Sequence, residues 1–383
     1  MSYKHTVLKG CKKPHLVQPV MQFVGWSTRR HDLPAIALFL FFVSGALEPA
    51  LAQPQPVCGS PCSAWAAITS SAAAPASASI AGEPTAWLAW KGHSSNYIYF
   101  SNGYPYTAAA SWTSQAKVSG VSASGSTWYA ETNVSPALTW YGEDYGPELV
   151  LAWKGVSDTS IWYSIYSSGA WTQQTSVSDS NVQTNQPPAL TTDGFGTVYL
   201  AWTTPGDEIE YMTFSGGNWS NAPVIVPGAS TTLAPAMTYY NGSLYVAWTN
   251  TAGYVQYISY NSSSETWSAV NTATVDGVPA TSAVAPALAA PPFGPDVPPH
   301  IPAPFAAWTA PSGEIYYSLG SLLEGISANN GIASYETPAL AFTSTYSACY
   351  TTWELYLAFT NGATDGIYTN FLNSWTSKNT CTL

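Results

Sequence analysis

The sequence predicts an all-β chain folded as a six-bladed β-propeller of four-stranded antiparallel blades. Three observations carry that prediction. An Ala-Trp pair recurs at Trp90, Trp153, Trp202, Trp248 and Trp308, with Phe359 in the sixth copy. A β-branched residue follows each anchor by seven or eight positions, at Ile98, Ile161, Ile209, Val255, Ile315 and Ile367. Such constancy demands a tight hairpin of nearly fixed length. Upstream lies Pro-Ala-Leu or Pro-Ala-Met, opening at Pro136, Pro188, Pro235, Pro286 and Pro338 with spacings of 52, 47, 51 and 52 residues. A lone four-stranded sheet cannot bury both its faces, whereas blades stacked around an axis can, so a period of about 50 residues with four short strands marks a propeller. A β-sandwich shares regular strand spacing, but not one motif six times in register.

The cleanest copy runs from Pro235 to Trp267. Its runs PAMTYY, LYVAWT and YVQYISY read as strands, separated by Asn, Gly and Ser, and a fourth strand begins at Trp267. β-Branched and aromatic residues fill the strands. The small Ala of Pro-Ala-Leu suits the innermost strand, where blades converge. A Trp before Ser or Thr opens the fourth strand at Trp112, Trp171, Trp219, Trp267 and Trp375, and the fifth copy lacks it. In blade 1 the second strand is Trp87 to Trp90. The first is read at Ser77 to Gly82, unless the C-terminus supplies a closing strand there. Blades 2 to 6 open at the five Pro-Ala sites. Blade 5 carries an insertion with seven Pro between Pro291 and Pro304, a stiff extended rim loop. It reads as a tolerated insertion or, alternatively, as a lid or partner surface. The blade 6 insertion holds Cys349 and Trp353.

Residues 1–52 are read as a signal peptide, 53–79 as a Pro/Ala/Ser-rich lead-in and 80–383 as the propeller. Arg29 and Arg30 precede an apolar run from Ala35 to Val43, and Ala50-Leu51-Ala52 follows, which is the basic, apolar and cleavage-site order of an export signal. The run is short for a bilayer span. A start at Met21 makes a more ordinary signal, with residues 1–20 then a mis-called start. Thr28-Arg-Arg-His31 resembles a twin-Arg signal, but Asp32 stands where an apolar residue is wanted. The expected location is secreted, extracellular or periplasmic, without membrane insertion after cleavage. Beyond residue 52, four Lys and no Arg face 19 Asp and Glu, a charge of −15. Nucleic acid and anionic lipid are therefore excluded as partners.

Four Cys remain there: Cys58, Cys62, Cys349 and Cys381. An even count in an exported chain implies two disulfides, with three pairings open. Cys349 with Cys381 is the favoured pair, and Cys58 and Cys62 can close a small loop. Zinc is disfavoured, because His93 and His300 lie beside neither Cys pair. Glu143, Asp144 and Glu148 crowd one loop without the spacing of a known Ca²⁺ loop, and read as a solvated acidic turn. No cofactor is expected. Neither His follows the pattern of a nucleophilic triad. Asp207, Glu208 and Glu210 form the densest carboxylate set, the alternative being a glycoside hydrolase. Their counterparts in other blades are Ser, Gln and Tyr, which favours local variation of a hairpin.

The repeat resembles two groups of six-bladed propellers. One is sialidase-like, and implies an Arg cluster and Asp-box turns; neither stands beyond residue 52. The other is the fucose-binding lectins of fungi and bacteria, which the unit Thr197 to Trp219 resembles in its order of strand, hairpin, strand, turn and Trp. That resemblance implies a sugar held by an Arg, a Glu and an aromatic. Glu210 stands for the Glu and Trp219 for the aromatic, while the absence of Arg weighs against fucose itself. Trp and Tyr offer apolar faces with polar edges, as sugars require, and the chain has 17 Trp and 25 Tyr. The expectation is an exported, non-enzymatic, lectin-like protein binding neutral glycans through Trp112, Trp171, Trp219, Trp267, Trp375 and Glu210, with multivalency adding to weak sites. A protein-interaction scaffold is the alternative.

Overall fold

The computed structural model describes residues 55–56, 86–92, 95–103, 113–141, 148–177, 182–291, 304–318, 325–327, 334–346, 350–360 and 367–378. They form an all-β, six-bladed propeller, within a compact unit from Ala50 to Leu383. Blade 1 contributes Ala86–Lys91, Ile98–Gly103 and Ala116–Lys117. Blade 2 is Ala137–Tyr141, Glu148–Lys154, Ile161–Ser167 and Ala170–Trp171. Blade 3 is Ala189–Thr192, Val198–Thr203, Glu208–Ser215 and Asn218–Trp219, with Val224–Ser230 continuing its outer edge. Blade 4 is Ala236–Tyr240, Ser243–Thr249, Val255–Asn261 and Thr266–Trp267. Blade 5 is Ala287–Ala289, Phe305–Thr309, Ile315–Ser318 and Gly325–Ser327. All pairings are antiparallel.

Blade 6 departs from the expected pattern. Its strands Ala339–Tyr346, Tyr350–Thr360 and Ile367–Lys378 are long, and Trp375 lies inside the third, opposite Trp353, rather than opening a fourth. The fourth place is taken by Gln55–Pro56, paired with Thr369 and Tyr368. The lead-in thus clasps the last blade. Pro56 lacks an N–H, which an edge strand tolerates.

The anchors are core. Trp202, Trp248 and Trp308 are 0% exposed, and Trp153 is 1%. Alternation along each second strand puts the Trp on the face toward the preceding blade and its Ala neighbours toward the next. Trp202, Leu200 and Val198 accordingly pack on Val150, Ala152 and Ile161 of blade 2, while Ala201 packs with Trp248 and Val246 of blade 4. The Pro-Ala-Leu segments meet at the axis, where Pro188, Ala236, Pro286 and Leu340 help line a cavity of about 80 Å³. Its walls are mainly apolar, with Ser135 and Thr337 among the lining residues.

The linkers between blades are fixed by buried hydroxyls. The residue after the anchor Trp is Thr in blades 3, 4 and 5. Thr203 donates to Leu233 O (2.6 Å), Thr249 to Val284 O (2.7 Å) and Thr309 to Glu336 O (3.0 Å), each on the linker to the next blade. The linkers reply: Thr231 donates to Thr249 O (2.6 Å) and Ser282 to Thr309 O (2.8 Å). Thr231 and Ser282 also accept from the N–H groups of Leu233 and Val284. Backbone groups that the crowded axis shuts off from water are satisfied in this way.

Candidate functional site

The axial cavity is lined mainly by Pro, Ala and Leu, with Ser135 and Thr337 as its polar residues, so the ring-rich seams between blades are the candidate surface. Their construction is regular. The seams between blades 1 and 2, 2 and 3, and 3 and 4 each hold a three-ring cluster. One ring comes from two positions after the β-branched residue of the earlier blade. The others are the ring five positions after its counterpart in the later blade and the fourth-strand Trp of that blade. Between blades 1 and 2 these are Phe100, Tyr166 and Trp171, with centroids 5.1 to 6.0 Å apart. Between blades 2 and 3 they are Tyr163, Phe214 and Trp219. Between blades 3 and 4 they are Tyr211, Tyr260 and Trp267. Cross-strand pairing sets the last two rings side by side: Trp171 opposes Tyr166, Trp219 opposes Phe214 and Trp267 opposes Tyr260.

The seams differ in access and polarity. Trp171 is 7% exposed, and its indole N–H has no protein acceptor. Trp87 joins the same cluster, stacked on Phe100 and tilted against Tyr166. Trp219 and Trp267 are half-buried. Trp219 stands edge-on to Tyr163, 5.5 Å between centroids, without an acceptor in bonding geometry. It nonetheless favours the ionised Tyr163 phenol slightly, against the larger effect of burial, which raises that phenol. The blade 3–4 seam adds Tyr199 and Tyr239, stacked at 5.6 Å and 20°. Burial pushes the Tyr199 hydroxyl well above the usual phenol range, and Asp193, Tyr239, Tyr211 and Tyr260 push it the same way. Burial and Tyr260 likewise raise Tyr211. Four phenols therefore share one electrostatic neighbourhood beside Trp267.

Glu210 lies opposite Trp202, and strand alternation puts it on the same face of blade 3 as Phe214 and Trp219. Four residues of strand separate it from Phe214, roughly 13 Å at the usual rise. Glu210 and Trp219 thus share a face but stand at opposite ends of it, too far apart to grip one sugar ring. Of the other carboxylates, Asp207 occupies the hairpin turn at φ 65° and Glu208 is exposed. Glu148 accepts from Ser167 Oγ at 2.7 Å. Among the described residues no three metal-ligating side chains cluster. Trp112, Glu143, Asp144, the four Cys beyond residue 52, His93, His300 and nearly all of the Pro-rich insertion lie outside the described residues. Trp375 is placed only as a strand position. The ring at five positions after the β-branched residue escaped the sequence reading, because Tyr166, Phe214 and Tyr260 become a set only once the seam is seen.

By sequence, the chain matches no protein-family model and no curated protein. Its fold is shared with solved lectins. A fungal lectin of Aleuria aurantia, described as a six-bladed β-propeller with a novel fucose recognition mode, aligns with a TM-score of 0.51 and 14% identity over 74% of this chain and 86% of that one. AofleA from Arthrobotrys oligospora aligns with a TM-score of 0.52 and 12% identity over 82% and 88%. SapL1 lectin, solved with alpha methyl fucoside, aligns with a TM-score of 0.51 and 11% identity over 83% and 96%. The likeness is one of fold.

Proposed function

We propose that this chain is an exported, non-enzymatic carbohydrate-binding propeller that takes neutral glycans at aromatic seams between its blades. The observation that carries the reading is the blade 3–4 seam: a half-buried Trp267 against the rings of Tyr211 and Tyr260, with the Tyr199–Tyr239 stack in the same seam. An indole face takes the C–H side of a sugar, and phenols donate to and accept from its hydroxyls. The fold shared with lectins supports the same reading. Trp219 supplies a second, less polar seam. Trp112 joins the proposed set by repeat position, while Trp171 is enclosed and Trp375 stands inside a third strand, so they belong to it less directly. Glu210 serves a separate end of the blade 2–3 face. A surface without Arg and poor in Lys points to uncharged glycans, bound without help from low salt.

The test is a glycan array with the purified chain at low and high salt. Salt-insensitive binding to a defined neutral glycan, weakened by Trp267→Ala in protein that still unfolds cooperatively, is the expected result. Folded protein that binds nothing on a broad array overturns the reading and leaves a protein-interaction scaffold. Turnover of a glycoside that disappears in Glu210→Gln instead makes the chain a hydrolase.

A further inference from the structure

Blades 1 and 2 share a stretch that the other blades lack. Trp90-Lys-Gly-His-Ser-Ser-Asn-Tyr-Ile-Tyr99 matches Trp153-Lys-Gly-Val-Ser-Asp-Thr-Ser-Ile-Trp162 in length and order. Where blades 3 to 5 spend a Thr hydroxyl on the next linker, these blades place an ammonium. Lys154 is 6% exposed. Its Nζ donates to Gly155 O at 2.9 Å and to Asn133 Oδ1 at 3.0 Å, both uncharged acceptors. Burial holds its pKa below the usual lysine range, and Asp158 offsets part of that. Yet Asp158 makes its bond elsewhere, accepting from the Ser160 N–H at 3.1 Å. Asn133 and Asp158 are exposed, and Trp162 is half-buried.

The glycine explains how these groups come together. A Cβ on Gly155 would lie 2.9 Å from Trp162 Nε1 and would collide with the Asp158 carboxylate. Only a residue without a side chain leaves room there for both ring and carboxylate. Gly92 plays the same part in blade 1, where a Cβ would meet Ser95 Oγ at 2.6 Å and the Tyr99 ring at 2.7 Å, beside Lys91, whose Nζ donates to Gly92 O at 2.9 Å.

We infer that Lys154, Asp158, Asn133 and Trp162 form a second carbohydrate site, specific for a vicinal diol, at the linker end of blade 2, with a related site on blade 1 from Lys91, Ser95 and Tyr99. The inference rests on the carbohydrate reading above but places sugar away from the Trp seams. The ammonium donates to one hydroxyl, the Asp158 carboxylate accepts from its neighbour, and the indole covers the C–H face. Adjacent hydroxyls are the group that a fixed donor and a fixed acceptor side by side can both reach. Trp162 stands four strand residues from Tyr166, the partner of Trp171, roughly 13 Å away, so the two kinds of site are separable by mutation.

Saturation-transfer NMR of the full chain with methyl α-mannoside, methyl β-galactoside and a 3-deoxy methyl glycoside, which has no vicinal diol, tests this. Binding of a diol-bearing glycoside, about tenfold weaker in Asp158→Asn and in Lys154→Met, is the expected outcome. Asp158 is exposed, so its variant keeps the fold, and an unaltered thermal transition checks that. Asp158→Asn and Lys154→Met that bind like the parent, with loss confined to Trp219→Ala or Trp267→Ala, overturn the linker-end site and leave the seam reading standing. Equal binding of the 3-deoxy glycoside overturns the diol specificity. No binding of any glycoside overturns both.

Discussion

The seam between blades 1 and 2 and the seam between blades 3 and 4 are built on one plan and finished differently. Both set a fourth-strand Trp against a ring five positions after the β-branched residue of its own blade and a ring from the blade before. In the first seam the rings are Phe100, Tyr166 and Trp171, joined by Trp87. In the second they are Tyr211, Tyr260 and Trp267, bordered by the Tyr199–Tyr239 stack. The first buries its Trp and the second leaves it half open. A repeated scaffold can therefore assign one interface to packing and another to recognition by exchanging single rings, with no change of backbone. The same division appears at the other end of the blades, where Thr203, Thr249 and Thr309 hold the linker to the next blade while Lys154 reaches Asn133 on the linker before it.

The largest expected difference between the seams lies in stability. Trp171→Ala should cost about 3–5 kcal/mol in denaturant unfolding, and Trp267→Ala clearly less, since much of its ring is already in contact with water. Equal costs would break the distinction between a packed and an open seam. Next come the latches. Thr203→Val keeps the shape but strips Leu233 O of its side-chain donor, which should cost about 1–3 kcal/mol. Lys154→Met should be neutral or slightly stabilising, because it removes a desolvated charge without an ion-pair partner. A large loss in the Lys variant would show that the lysine holds the linker after all.

A smaller effect should appear with pH. Tyr199 and Tyr211 have folded pKa values raised above the unfolded phenol value. Their contribution is therefore present below about pH 10 and lost as pH rises beyond it. Denaturation midpoints measured across that range should fall, and less steeply in Tyr199→Phe/Tyr211→Phe protein. The smallest effect concerns Glu336, whose carboxyl is raised by burial. Stability tied to it is present below the unfolded carboxylate pKa and lost as pH rises through the folded one, so Glu336→Gln should flatten the mildly acidic part of the same curve.

The blades were legible in the sequence because burial on alternate faces forces periodicity, and the anchor Trp cannot drift without breaking the seam behind it. Trp202 and Trp248 are core for that reason. The latches were not legible, since Thr231 or Ser282 looks like any Thr or Ser until a carbonyl from another blade is seen above it. Gln55–Pro56 could not be found either: two residues carry no period, and Pro is a poor herald of a strand. For the candidate site, sequence named Trp219 and Trp267 but also grouped Glu210 with them, because repeat position records which residues correspond and not how far apart they lie along a strand.

The axial cavity carries a mechanical consequence. It is lined by five converging segments, from Ser135 and Ala137 to Thr337 and Leu340, and is partly open to solvent. The small Ala and Pro residues at this convergence leave the centre unfilled. Enlarging one of them, as in Ala236→Leu, should therefore push its blade outward and strain the aromatic seams on either side of it.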